Sequence, residues 1–171
     1  MLLVSATILV PITIRPIRPQ DNAALAAVVR DTLAEFGAAK PGTVYFDPTT
    51  DHLYELFQQP RSTYFVAHSA EGEVLGGAGI FPTEGLGAGV CELVKVYLRP
   101  QARGLGLGRR LIRQCLAWAQ EAGFDQVYLE TLPELTHAMP LYERLGFAYL
   151  PGPLGSSGHF GCTIWMLKEG N

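Results

Sequence analysis

Residues 90–112 read Val90-Cys-Glu-Leu-Val-Lys-Val-Tyr-Leu-Arg-Pro-Gln-Ala-Arg-Gly-Leu-Gly-Leu-Gly-Arg-Arg-Leu-Ile112. Val90–Leu98 is dense in valine and leucine and reads as a β-strand, Arg99–Ala102 as a tight turn, and Leu107 onward as an amphipathic helix. Gly104, Gly106 and Gly108 punctuate the approach to that helix. The first N–H groups of a helix have no intrahelical acceptor and sit at the positive end of its dipole. A glycine-rich approach keeps side chains from standing between those amides and an anion. The stretch therefore predicts an anion site, most naturally for a phosphate or pyrophosphate.

Working outward, the flanking segments supply the rest of an α/β domain. Downstream, Leu107, Leu111, Cys115, Trp118 and Ala122 recur at helical spacing and Gly123 ends the run. Gln126–Thr131 reads as a strand, Leu141 and Leu145 mark a short helix closed by Gly146, and Phe147–Leu150 and Thr163–Leu167 read as final strands. Upstream, Thr63–His68 and Val74–Phe81 are strands joined by a Ser-Ala-Glu-Gly turn. Before them come a helix capped by Asp21 and stopped at Gly37, a loop, and a short helix around Asp51–Phe57. Ile12–Arg18 alternates like a strand, and its proline assigns it to an edge or a strand end. The order β-α-α-β-β-β-α-β-α-β-β implies a mixed, mostly antiparallel sheet of about six or seven strands with helices on both faces.

Composition narrows the class. At 171 residues, 48% apolar and 17% charged, the chain reads as one ordered domain, placed at 12–171. A net charge of −3 gives no general attraction to nucleic acid or anionic membrane. The three cysteines, Cys91, Cys115 and Cys162, lack ligand or disulfide spacing. That usage suits a reducing cytoplasm and no metal site, with Cys115 and Cys162 read as packing. The apolar extension 1–11 is too short to span a bilayer and has no basic residue ahead of it, as a secretory signal would.

Two nucleotide motifs fail on the glycine turn. It ends Gly-Arg-Arg instead of Gly-Lys-Ser/Thr, and Gly108 follows Gly106 too soon for the dinucleotide fingerprint. Arg103-Gly-Leu-Gly106-Leu-Gly108 instead resembles the Arg/Gln-x-x-Gly-x-Gly/Ala pyrophosphate motif of the GNAT superfamily of N-acetyltransferases. Leu141-Tyr-Glu-Arg-Leu-Gly-Phe147 is similar to its second signature, Leu-Tyr-x-x-x-Gly-Phe, and the element order matches from about Ile12 to Lys168.

The resemblance implies an acyl-CoA N-acyltransferase using acetyl-CoA, with direct attack by an amine in a ternary complex. The turn Arg103, Gly104, Leu105, Gly106, Leu107, Gly108 and Arg109 would hold the pyrophosphate. The backbone of Val96 and Leu98 would pair with the pantetheine arm where Val90–Leu98 splays from Gln126–Thr131. Tyr142 matches the family's general acid. For the base, Glu92 leads because it sits in a row with Val90, Val94, Val96 and Leu98, where desolvation raises a carboxyl. Its bland alternative is an ion pair with Lys95 or an arginine. Glu130 is the runner-up, ahead of His159 and His137. The usual asparagine before the tyrosine signature is replaced by Thr136-His-Ala-Met-Pro140.

The acceptor is expected between about Gly37–Pro48 and Pro151–Gly161, with Tyr45 and Phe46 as an apolar wall and His159 and Ser156 as polar groups. A small amine or amino acid is favoured over a protein N-terminus or lysine. A homodimer stays open. The rival classes are a non-catalytic acyl-CoA-binding domain and, more remotely, a nucleotide-binding oxidoreductase.

Overall fold

Apolar alternation in the strand segments builds one seven-stranded sheet from β1 (Thr13–Pro16), β2 (Thr63–His68), β3 (Val74–Phe81), β4 (Val90–Leu98), β5 (Gln126–Thr131), β6 (Ala148–Leu150) and β7 (Ile164–Glu169). Their spatial order is β1-β2-β3-β4-β5-β7-β6. Only β4 and β5 run parallel; the other neighbours are antiparallel. The computed structural model describes residues 11–170. The apolar extension, apart from Pro11, lies outside them. The mixed sheet expected from the order of elements is thus present, with β1 at an edge and Pro16 as its last residue.

Helices cover both faces. On one, α1 (Asn22–Glu35) and α2 (Leu53–Leu56) bring Leu25 and Leu53 against Tyr64 and Val66. On the other, α3 (Leu107–Glu121) buries Leu107, Leu111, Ile112, Cys115 and Ala119 against Ala78, Ile80, Cys91 and Leu93. Each fully buried aliphatic side chain there stabilises by about 1.5–3 kcal/mol relative to exposure. The short α4 (Ala138–Arg144) adds Tyr142 to this second core, with Pro140 in its first turn. Gly123 and Gly146, at φ 88° and 96°, end their helices in the left-handed conformation that glycine alone adopts cheaply.

Asp21 does not cap α1 through its side chain. Instead its carboxylate accepts from Arg15 at 2.7 and 3.0 Å and from the Arg18 N–H at 2.7 Å. A nearby guanidinium outcompeted the helix amides, so the capping expectation is corrected.

The feature that shapes the site is a bulge in β4. Register passes from Gly77↔Tyr97 to Gly79↔Val94, so β4 carries one residue more than β3 over the same span. Lys95 takes it up at φ 52°. The bulge reverses which residues face which core: Leu93 and Val96 both pack beneath α3, whereas Val94 packs toward α2. The expected single row Val90, Glu92, Val94, Val96, Leu98 is therefore broken at Lys95.

Tyr64 pins the distortion from β2, its hydroxyl donating to the Lys95 carbonyl at 2.7 Å. Its ring needs bare backbone beneath it. A Cβ on Gly77 or Gly79 would lie 2.4 or 2.5 Å from that ring.

Candidate active site

The sheet opens where β4 and β5 part. They pair only at Val90↔Gln126, Cys91↔Val127 and Glu92↔Tyr128; beyond that β5 continues to Thr131 against β7 alone. The split forms the wall of a cleft of about 730 Å³ that reaches from the glycine turn to the loops beyond β5. Glu92, Val96, Leu98, Arg103, Gly104, Gly106, Leu107, Gly108, Arg109 and Tyr142 all line it. Residues scattered along the sequence motifs thus share one space.

At one end lies the turn into α3. Gly104 and Gly106 have φ 76° and 75°, with no atom within 4 Å of a hypothetical Cβ, so their need is conformational. Gly108 differs: its Cβ would touch Leu141 and Leu98 at 3.5 and 3.6 Å. Among the described residues no backbone N–H from Gly104 to Arg109 donates to a backbone carbonyl, whereas Arg110 N–H bonds Gly106 O at 3.1 Å. These consecutive donors at the head of a 15-residue helix are a ready anion cradle. Leu105 is 59% exposed, so only its main chain belongs to the cradle.

Arg103 is a fastener of this turn. Its guanidinium donates to Glu35 at 3.1 and 2.7 Å and to the Leu98 carbonyl at 3.1 and 3.0 Å, tying α1, β4 and the turn together. Arg109 and Arg144 line the cleft and form no ion pair among the described residues.

Glu92 is 4% exposed and forms no ion pair among the described residues. Thr83 Oγ1 donates to its Oε2 at 2.5 Å. Burial pushes its carboxyl from 4.5 up to about 7, reinforced by Glu130 and opposed by Thr83, His159 and Lys95. Such a group exchanges its proton near neutral pH, as a general base must. Glu130 is engaged otherwise, its Oε2 accepting from Tyr128 at 2.9 Å and its Oε1 from Ser157.

Tyr142 reaches the same cleft from α4. It is 6% exposed, packs edge-on against Phe147 at 5.9 Å, and its hydroxyl makes no hydrogen bond to another described residue. Burial raises its phenol above 10, so it stays protonated at neutral pH and can act as a donor.

The acceptor-side loops close over the same cleft. Gly161 N–H donates to Gly42 O at 2.8 Å, and His159 Nε2 donates to Asp47 Oδ2 at 2.9 Å. Asp47 also accepts from Thr49, and these bonds, His159 first, hold its carboxyl well below the usual range. Of the expected acceptor residues, His159 lines the cleft but Tyr45, Phe46 and Ser156 do not. Phe46 is 60% exposed, and the Ser156 N–H bonds Glu84 O at 2.7 Å. His137 does line the cleft, with its ring against Phe36.

Sequence reasoning missed Thr83, Asp47 and Lys95; Cys162 packs against the core around Leu33 and Leu132, as read, and also borders the cleft. The one available signal was Asp47-Pro-Thr-Thr50, a capping pattern, and Asp47 does cap the short 3-10 turn that follows. Nothing local points to its partner His159, 112 residues away.

Comparison with known proteins agrees with this geometry. The family model for the acetyltransferase (GNAT) family matches residues 26–147. The uncharacterized N-acetyltransferase YjgM of Escherichia coli is 44% identical over 151 residues, covering 88% of this chain and 90% of that protein. A GNAT-family acetyltransferase from Staphylococcus aureus superposes with a TM-score of 0.81 at 18% identity, covering 93% of this chain and 99% of its own. The yncA protein of Salmonella typhimurium, solved with its cofactor acetyl-CoA, superposes at 0.70 with 20% identity, covering 93% and 94%. No described helix is long and apolar enough to cross a membrane.

Proposed function

The chain belongs to the GNAT family of N-acetyltransferases, and from that premise we propose that it moves an acetyl group from acetyl-CoA to the primary amine of a small molecule or amino acid, by direct attack in a ternary complex. One observation carries the reading: the unpaired N–H groups of Gly104–Arg109 open onto the same cleft as Glu92 and Tyr142. The cradle suits the pyrophosphate of coenzyme A. The unpaired edge of β4 beyond Glu92 suits an extended pantetheine arm, with Val96 beside it. The thioester supplies the activated acetyl group.

The chain's own residues then handle protons and position. An alkylammonium has a pKa of about 10, so the nitrogen must lose a proton before attack. Glu92, with its carboxyl near 7, takes that proton directly or through water. N–H groups on the splayed strand stabilise the negative charge that develops on the carbonyl oxygen. Tyr142 gives its proton to the departing sulfur. Holding both reactants in register contributes about 7–11 kcal/mol, and acid–base work about 10²- to 10⁴-fold. Positioning therefore outweighs any one proton carrier.

Free-thiol release from acetyl-CoA over a panel of amines, amino acids and peptides tests the reading. Thiol release that depends on an amine is the expected result. Binding of acetyl-CoA without turnover of any amine would leave a binding domain instead.

A further inference from the structure

Lys95 is a buried lysine whose Nζ has no ion-pair partner among the described residues; burial shifts its pKa below the ordinary value, and Asp47 and Glu92 act against that shift. It is 9% exposed, holds φ 52° at the β4 bulge, and lines the cleft. Among the described residues Nζ enters no ion pair, and it is absent from the sealed polar atoms that lack a partner, which are Arg15 Nε and Glu134 Oε2. Nζ therefore keeps some access to solvent, and Lys95 is one of the residues that line the cleft. The neighbouring carboxylates are each engaged elsewhere: Asp47 by His159 and Thr49, Glu92 by Thr83, Glu130 by Tyr128 and Ser157. Burying an ammonium without compensation is unfavourable, and so is a left-handed conformation in a residue with a Cβ. Features of this kind concentrate where a ligand is held.

We propose that Lys95 binds a carboxylate on the acceptor, so that the acceptor is an amine carrying a carboxylate, as in a free amino acid. The inference rests on the acetyl-transfer reading of the cleft. Lys95 offers a compact point charge with rotatable donors, which suits one carboxylate. A phosphate dianion fits poorly, because Asp47, Glu92 and Glu130 act on the same space and repel a second negative charge. Those same carboxylates favour the cationic form of the arriving amine. A zwitterion satisfies both: its carboxylate meets Lys95 and its ammonium meets Glu92, which aims the nitrogen at the split between β4 and β5. Lys95 is thus a specificity residue that binds the acceptor, distinct from the proton carriers.

The test uses matched acceptors: each standard amino acid, its carboxamide, the amine lacking the carboxyl, and a C-terminally amidated tripeptide beginning with the same residue. Thiol release from acetyl-CoA gives kcat/KM for the wild type, Lys95→Met and Lys95→Arg, while calorimetry gives acetyl-CoA affinity. The wild type should prefer the best amino acid over its carboxamide and the tripeptide by about 10- to 100-fold, the scale of a hydrogen bond to a charged group. Lys95→Met should erase that preference mainly through KM, with acetyl-CoA affinity unaltered, and Lys95→Arg should keep part of it. Equal kcat/KM for amino acid and carboxamide in the wild type, or a preference that survives in Lys95→Met, overturns the carboxylate anchor and leaves acetyl transfer standing. Efficient use of the amidated tripeptide also overturns it, in favour of a protein N-terminus. Failure of every acceptor despite acetyl-CoA binding overturns the acetyl-transfer reading and the anchor with it. Should Lys95→Met not fold, the wild-type series and Lys95→Arg decide.

Discussion

Replacing Glu92 by Gln should make the protein more stable and less active at once. Unfolded, the carboxyl titrates near its ordinary 4.5; folded, near about 7. Between those values the folded state keeps a proton that the unfolded state releases. The group's contribution to stability is therefore complete below about pH 4.5 and is lost as pH rises through 7. At about 1.4 kcal/mol per pH unit, the loss levels off near 3 kcal/mol above pH 7.

Gln stays neutral throughout, and its Oε1 can still accept from Thr83. Its amide must also place new N–H groups, so the net gain over wild type should be about 1–3 kcal/mol near pH 8 and close to zero near pH 5. Activity moves the other way: kcat/KM should fall about 10²- to 10⁴-fold, and the acid limb of its pH profile, with a midpoint near 7, should vanish. Urea unfolding followed by tryptophan fluorescence at both pH values, beside thiol-release rates across neutral pH, measures both halves. A stability difference that ignores pH, or an acid limb that persists in Glu92→Gln, would refute the assignment of this titration to Glu92.

The other predictions concern the cradle, the acid and the bulge. Gly106→Val forces a β-branched residue into φ 75°, and should weaken acetyl-CoA binding more than about tenfold by calorimetry, with a stability loss of at least about 1 kcal/mol; unaltered affinity would move the pyrophosphate elsewhere. Tyr142→Phe should lower kcat about 10- to 100-fold while acetyl-CoA affinity stays within about twofold; an unchanged kcat across neutral pH would remove its role. Gly77→Ala places a Cβ 2.4 Å from the Tyr64 ring and 2.6 Å from the Phe65 carbonyl, and should destabilise by about 1–3 kcal/mol in urea unfolding. Tyr64→Phe removes the bond to the Lys95 carbonyl, costing about 1–2 kcal/mol and lowering kcat through a loosened bulge; wild-type turnover in that variant would show that the bulge holds without it.

Legibility followed the range of the forces involved. β2, β3, β4 and β5 have the limits read from the sequence, because alternation and the flanking turn residues are local signals. The glycine turn and its helix were legible for the same reason, since unpaired amides follow from where a helix begins. Asp21 was misread because a capping pattern takes no account of Arg15, which arrives from another element. Arg103 lines the cleft beside the glycine turn, but nothing local signalled that Glu35, 68 residues away, would also hold its guanidinium.

The order of elements, the glycine turn with its unpaired amides at Gly104–Arg109 and the chain positions of Glu92 and Tyr142 were legible in the chain itself, through hydrophobic periodicity, glycine conformation and motif spacing. Only tertiary structure decided what those side chains become. Tyr64 lies on β2 and its glycine seat on β3, yet together they hold the β4 bulge that turns Val96 and Leu98 to the other face and carries Lys95 at its apex. Burial, reinforced by Glu130, pushes the Glu92 carboxyl up to about 7 against the opposing pull of Thr83, His159 and Lys95, neighbours brought in from other strands and loops. Electric fields and desolvation depend on distance through space, and contacts across the sheet leave no period in the sequence to read.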